Sequence, residues 1–343
     1  MSMPDDTVTL QFDERMLTVG TDTDIRAQLS AVVLDGDHLW LACDEGCRLE
    51  RLARTRGGSS FAQHQVFELA AMLDLPAPPD EEADIEGLAV DDRWLWLIGS
   101  HAVKRKRPKG KSPAEVARKL LETTRDGNRH LLARVPLKGS ALQKKDGGRR
   151  AAALPATTKS SDLLKAVRSD DHLKLFVDVP GKDNGFDIEG LAVRGGRVWV
   201  GLRGPVLREW CCILELEVEA QERELRLVPH KKQRYRTHFF KLDGLGVRDI
   251  ALLDDDMLIL AGPPMAHDGP AGIWRWKNAA KKHGDARDVA QVLRLPQSRR
   301  QDKPEGLTVF SAGARPSVLV VYDSPAAKRK KSPAAVVADV FRL

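Results

Sequence analysis

The sequence predicts an all-β fold, a β-propeller of four-stranded blades, with five blades as the reading and six as the alternative. Three observations lead there. The heptad DIEGLAV is spelled twice, at 84–90 and 187–193, and looser copies stand at 302–310 (DKPEGLTVF), 247–253 (VRDIALL) and 29–46 (LSAVVLDGDHLWLACDEG). Each copy is an apolar strand, a short polar turn and a second strand, which is hairpin chemistry. The copies follow one another at intervals of roughly 55 to 60 residues, a repeat period, except that Glu86 and Glu189 are about twice as far apart.

Taken in order, the elements complete four-stranded units. TVTLQF (7–12) is a spare strand at the N-terminus. The hairpin turns are DGD (35–37), DDR (91–93), RGGR (194–197), DDD (254–256) and SAGARP (311–316). Third strands read as RLERLAR, HLLARVPL, CCILELEV, GIWRWK and VVADVFRL. Fourth strands read as AQHQVFEL, LKLFVDV, RTHFFKL and VAQVLRL. The last unit has no fourth strand of its own, so the N-terminal strand is expected to pair with it, closing the ring and removing its edges. The long interval is read as insertions at 104–128 and 155–172. In the first, SPAEVARKLLETT starts a helix with Ser112 as N-cap, Pro113 at N1 and Glu115 in a capping box. A second helical stretch is expected near 161–168. Residues 1–343 read as a single domain.

Bulk properties set the class. A chain of 343 residues with 42 % hydrophobic residues can bury a sizeable core, and its net charge of +6 coexists with 49 acidic residues, so the positive charge is local. No apolar run approaches the roughly 20 residues of a membrane helix, and the first residues lack the features of a signal peptide. The four cysteines, two of them in a loose CxxxC and two adjacent, do not spell a disulfide framework or a zinc site. A cytoplasmic location without a membrane partner is the expectation.

Glycine normally weakens a strand. Here alternation puts Glu86, Leu88 and Val90 on one face and Gly87 and Ala89 on the other, so the small pair lets the next blade approach where space around the axis is least. The acid is a separate matter. Inner-strand starts and second-strand exits share one rim, so Glu86, Glu189, Glu305 and Asp249 (or Arg248) would meet at one mouth of the channel, with Asp84 and Asp187 two residues earlier. Asp44, Glu45, Ser100, His101, Arg203 and Asp323 would join them from the exits. Convergence of charged groups on a concave surface is the usual form of a binding site.

Three readings of the acids stand open. They accept backbone N–H groups of the neighbouring blade or pair with Arg203 and Arg248. Alternatively Asp84, Glu86, Asp187, Glu189 and Glu305 hold a hard cation, Ca2+ or Mg2+. Or one crowded carboxylate works as a general acid or base. Two basic runs, KRKRPKGK (104–111) and KRKK (328–331), leave second strands and should rise from the same rim. They suit a small anionic ligand carried with a cation, or nucleic-acid backbone; low aromatic content, 5 %, argues against base stacking. The functional expectation is a mouth that binds a small anionic or metal-bound ligand, or a protein partner. The alternative is a metal-dependent hydrolase of phosphate or carboxylic esters, with His101 or Arg203 stabilising the leaving charge.

The paired DIEGLAV units together with WLWLIGSH and GRVWVGLRGPV resemble the bacterial domain-of-unknown-function 3616 family, over most of the chain from about Asp24 onward. That resemblance implies a propeller-like fold and carries no activity with it. EGLA followed by a hairpin is also similar, over a few residues per unit, to the phytase-associated esterase-like propeller family, where a Glu-Gly step opens inner strands.

Overall fold

The computed structural model describes residues 2–20, 22–108, 112–230, 233–281, 288–296, 300–311 and 315–343. Part of the first basic run (109–111) and part of the last hairpin turn (312–314) therefore lie outside the described residues.

Antiparallel meanders dominate. The first blade runs Leu29–Asp35, His38–Cys43, Arg48–Arg54 and Ser60–Glu68, in that order from the inside outward. The second runs Ile85–Asp91, Trp94–Gly99, Leu132–Lys138 and the two-residue strand Ala152–Ala153. The third runs Asp187–Arg194, Arg197–Gly204, Trp210–Gln221 and Arg236–Lys241, and the fourth Gly246–Leu253, Asp256–Gly262, Gly272–Trp276 and Val289–Arg294. The fifth has Lys303–Ser311, Ser317–Asp323 and Ala335–Arg342, and its outer strand is the N-terminal Asp6–Gln11, paired antiparallel with Ala335–Arg342. The inner strands touch in a closed cycle, first to second to third to fourth to fifth and back to first. The molecule is a β-propeller sealed by its own N-terminus.

Hairpin turns take positive φ at Gly36, Asp92, Gly195 and Asp254, the conformation two-residue turns require. Hydrophobic cores lie between neighbouring blades. Trp40 and Leu49 of the first blade pack with Ile85 and Leu97 of the second; Trp199 and Phe240 of the third pack with Ile250 and Ile259 of the fourth. The cores lie there because the second strands bury both faces, one against each neighbouring blade.

The helix Pro113–Lys119 is capped by Ser112, whose Oγ accepts from the Glu115 N–H (3.3 Å). The helix Asp162–Val167 is capped by Ser161 and buries Leu163, Leu164 and Val167 over the core between the second and third blades. One strand expected from the sequence is not a strand. LKLFVDV contains the 3-10 turn Lys174–Phe176, because Leu173 and Val177, four residues apart, both face that same core. The outer strand of the second blade is Ala152–Ala153 instead.

Strand approach at the axis is close. A Cβ on Gly87 would sit 2.6 Å from Leu191 Cβ and 2.9 Å from Leu191 N in the next blade. Gly190 faces Ile250 N at 3.1 Å and Gly306 faces Val32 N at 3.2 Å in the same way. Gly87→Ala is therefore expected to cost about 1–3 kcal/mol by overpacking. Gly148→Ala, whose Cβ would meet nothing within 4 Å, should be neutral. Denaturant unfolding of the two variants checks the difference.

Candidate functional site

Each inner strand carries a β-bulge near its start, at the same place in every blade. The extra residue is Ser30, Glu86, Glu189, Arg248 or Glu305, and the ladder resumes at Ala31, Gly87, Gly190, Asp249 or Gly306. A bulge turns one side chain out of alternation. Here it aims four long charged side chains into one cavity of about 1380 Å³ at a mouth of the channel, lined also by Asp44, Asp84, Arg129, Asp187, Arg203 and Asp323. Arg248, not Asp249, is the counterpart of the glutamates, and Ser30 is the counterpart in the first blade. Ser30 donates to the Ile85 carbonyl (2.6 Å), tying the first blade to the second.

One side of the mouth is neutralised. Arg203 pairs with Glu189 and reaches Asp187 (3.7 Å) while donating to the Pro264 carbonyl (3.0 Å). Arg248 Nε meets Glu189 at 2.9 Å, and its other end pairs with Glu305. Burial raises the pKa of Glu189, against the pull of Arg203 and Arg248. Burial, again against Arg248, pushes Glu305 up to about 7.

The other side is not. Asp44, Asp84 and Glu86 each bring a carboxylate oxygen within 4.8 Å of the other two. Asp84 is paired with Arg129 (2.6 Å). Glu86 is 9 % exposed, faces the cavity, and has no hydrogen bond or ion pair among the described residues. Burial, and then the charges of Asp84, Asp44, Glu189 and Glu305, drive its pKa well above the ordinary value. Burial followed by Asp84, Asp323 and Glu305 does the same to Asp44.

Of the residues singled out in the sequence, Asp44, Glu45, Asp84, Glu86, Asp187, Glu189, Arg203, Arg248, Glu305 and Asp323 line this cavity. Three do not. His101 is wholly buried beneath the mouth, with Nδ1 against the Gly99 carbonyl (3.0 Å) and its ring against His130; burial drops its pKa to about 3. It cannot act on a ligand at the rim. Ser100 is also buried, its Oγ accepting from Arg129 (3.2 Å) and from the Ala102 N–H (3.3 Å). Asp249 accepts the N–H groups of Ile250 (2.8 Å) and, in the fifth blade, Leu307 (2.7 Å), so it staples two blades together. Arg203 lines the cavity but is held at both ends by acids and a carbonyl, which removes the freedom a leaving-group stabiliser needs.

The basic runs also divide. Arg329 turns inward to Asp302 (2.8 Å) and Asp339 (2.7 Å) and lies over Tyr322, so the second run is a structural clamp. In the first, Lys104 pairs with Glu82 and Arg105 with Asp183 (2.7 Å), while Lys106 and Arg107 line the cavity. Lys182, Glu82 and Arg129 were not singled out. Lys182 and Glu82 lie in the segments leading into repeated heptads, so the rim argument that selected Asp84 reaches them too. Arg129 stands between the first insertion and the third strand of its unit, where no periodic signal marks it.

The chain belongs to the family described as protein of unknown function, DUF3616, whose sequence profile matches residues 28–339. A search of curated proteins finds no match. Among solved structures, the chain is similar to the glutaminyl cyclase of Myxococcus xanthus, at 12 % identity and a TM-score of 0.43 over 99 % of this chain and 100 % of that one. It is also similar to the PQQ-bound aldose sugar dehydrogenase of Streptomyces coelicolor, at 10 % identity and a TM-score of 0.41 over 100 % of each chain.

The two identical heptads should respond in opposite ways to the same change. Glu86 holds its proton above the ordinary carboxylate range when folded, so the native state binds more protons than the unfolded one there, and stability falls as pH rises through that window. Glu86→Gln removes that loss: without added metal, the variant should be more stable than wild type at pH 8 and show a flatter pH dependence. Glu189→Gln strips a partner from Arg203 and Arg248 and should cost roughly 3 kcal/mol. Urea unfolding between pH 5 and pH 8 measures both.

Proposed function

We propose that this protein is a binding propeller whose mouth takes a divalent cation on Asp44, Asp84 and Glu86 together with the anionic group of a small ligand. The single observation that carries this reading is the convergence of those three carboxylates, with Glu86 nearly buried and unpaired, on the wall of an open cavity. Three carboxylates, two from loops and one from a strand bulge, suit Ca2+, which accepts flexible carboxylate geometry, better than the strict octahedron of Mg2+. The cation would meet the anion here because Lys106, Arg107 and Lys182 line the same cavity above the acids. The set of five acids considered from the sequence narrows, since among the described residues only Asp84 and Glu86 of the five converge, with Asp44, to within 4.8 Å, while Glu189 and Glu305 are held by arginines.

Binding is favoured over ester hydrolysis by the placement of the groups that hydrolysis needs. His101 is buried away from the mouth and Arg203 is fully engaged. A protein partner would have to reach acids set below the rim, which a small ligand does more readily.

Millimolar CaCl2 should raise the melting temperature of the wild type at pH 8 by a few degrees, on the order of 1–2 kcal/mol of linkage. The Asp44→Asn, Glu86→Gln double variant should melt without any calcium response. A wild type indifferent to calcium would end the reading. Calcium-dependent release of product from phenyl phosphate or phenyl acetate, lost in the double variant, would replace binding with hydrolysis.

A further inference from the structure

A second cavity, of about 610 Å³, opens on the outer side of the second blade and shares no lining residue with the mouth. It exists because the blade falls short there. The outer strand of the first blade has nine residues, whereas that of the second is only Ala152–Ala153. It meets the third blade at one residue pair, Ala153 beside Glu224 in parallel. Ala151, Ala152, Ala153 and Ala156 all line the space, and side chains that end at Cβ leave it unfilled. Its floor is apolar and nearly buried. Met72 and Leu73 reach it from the link between the first two blades, and Leu131 and Leu154 from the second blade itself.

The rim is basic. Lys145–Asp146 and Arg149–Arg150 form a two-stranded ladder closed by Gly147 and Gly148, with Lys145 directly opposite Arg150. The Ala151 N–H donates to the Lys144 carbonyl (3.0 Å), which joins this hairpin to the alanines of the cavity. Like charges opposite each other on antiparallel strands repel. The acid of the hairpin does not relieve them, because Asp146 is engaged by Arg149 (3.5 Å) and Lys138 (3.7 Å). Lys144, Lys145 and Arg150 all line the cavity and have no side-chain hydrogen bond or ion pair among the described residues. Two acids line it with them, and each lies near an arginine, Asp74 by Arg223 (3.9 Å) and Glu224 by Arg226 (3.7 Å). Counting Arg223, four cations and two acids border the apolar floor.

We propose that this groove is a second binding site, for a small phosphate monoester with an apolar body. The phosphate lies between Lys145 and Arg150, where one dianion answers two unpaired charges, and the body covers Met72, Leu131 and Leu154. The arginine fork takes two phosphate oxygens at once and the lysine adds a compact charge. The volume falls within the roughly 300–1,000 Å³ of small-molecule sites. A bare inorganic anion would use the rim and leave the floor in water. A neutral apolar molecule would use the floor and leave the repulsion standing. A carboxylate brings one charge where two cations wait. Only a ligand with a doubly charged head and an apolar body satisfies both halves of the site. The inference is independent of the cation reading of the mouth, since it uses none of those residues.

The test is calorimetric titration at pH 8 and low salt, with EDTA present to keep divalent cations from the mouth. The titrants are 2-naphthyl phosphate, 2-naphthoate and inorganic phosphate. The proteins are wild type, a Lys145→Gln, Arg150→Gln double variant of the groove and a Lys106→Gln, Arg107→Gln double variant of the mouth. Wild type should bind one 2-naphthyl phosphate, roughly tenfold more tightly than inorganic phosphate because of the floor, and about threefold more tightly than 2-naphthoate because of the second charge. The groove variant should bind it about tenfold more weakly and the mouth variant as wild type does. The groove variant should melt at or just above wild type, since a repulsive pair is gone, and should keep any calcium response of the melting temperature. A wild type that does not bind 2-naphthyl phosphate, or binds inorganic phosphate or 2-naphthoate as well, overturns the proposal. So does affinity that is lost in the mouth variant and kept in the groove variant. Absence of a calcium response, with 2-naphthyl phosphate still dependent on Lys145 and Arg150, ends the cation reading and upholds this one.

Discussion

Around the axis the backbones of three inner strands lie against the next with no room for a side chain between. Gly87 against Leu191, Gly190 against Ile250 and Gly306 against Val32 are the same contact made three times. That contact fixes what can happen one residue earlier. A strand that must present a minimal residue to its neighbour cannot also turn a long side chain toward it, so the preceding residue is thrown out of alternation by a bulge and into the channel. Packing thus creates the charged mouth. The position after the bulge is glycine or alanine in four blades. In the fourth it is Asp249, which replaces close approach with a hydrogen bond to Leu307 across the same gap.

Putting carboxylates into a confined, half-dry space has an electrostatic cost that must be met by counter-charges or by protons. Both occur here. Glu189 and Glu305 share Arg248, and Glu189 also has Arg203, so that half of the ring is a chain of buried ion pairs. Such pairs fix geometry more than they stabilise, but losing one member leaves a buried charge exposed to no water. Glu86 and Asp44 lack such partners and are driven toward the protonated state. A group that is costly to leave charged and free is one whose charge a bound cation would recover.

The ring, its hairpins and its N-terminal closure were legible because strand periodicity and turn chemistry repeat, and repetition averages out local ambiguity. LKLFVDV misled because it reads as an alternating strand while Leu173 and Val177 sit one helical turn apart, and only the core beneath decided between the two. The rim acids were legible from topology alone, since any residue at an inner-strand start arrives there. What topology could not supply was the pairing. Of the two candidates in the fourth blade, Arg248 is the residue at the bulge and Asp249 the one that follows it. Nor does topology say how deep a rim residue sits. His101 follows Gly99 and Ser100 directly, yet with φ of +55° its backbone turns and carries the ring into the interior. Arg129, which belongs to no repeated segment, could be found only in three dimensions.

The twin heptads make the separation of structure from chemistry concrete. Residues 84–90 and 187–193 are identical, occupy the same strand position and carry the same bulge. Burial pushes the pKa of both glutamates up, but Glu189 has two arginine partners and Glu86 has none among the described residues. The cause lies on the neighbouring strand. In the third blade the register shifts a second time, between Asp187 and Ile188, so that Asp187 pairs with Gly204 and Ile188 with Leu202, leaving Arg203 as an extra residue facing the mouth. The second blade has no such shift, and Ile85 pairs with Gly99. One added residue on a second strand thus supplies Glu189 with an arginine that Glu86 never receives. The heptad is the part of the design that must repeat for the ring to close, and the asymmetry that could select a ligand is written outside it. The pseudo-symmetry of the ring is broken where Arg203 is present on one side and Asp44 has no side-chain partner among the described residues on the other.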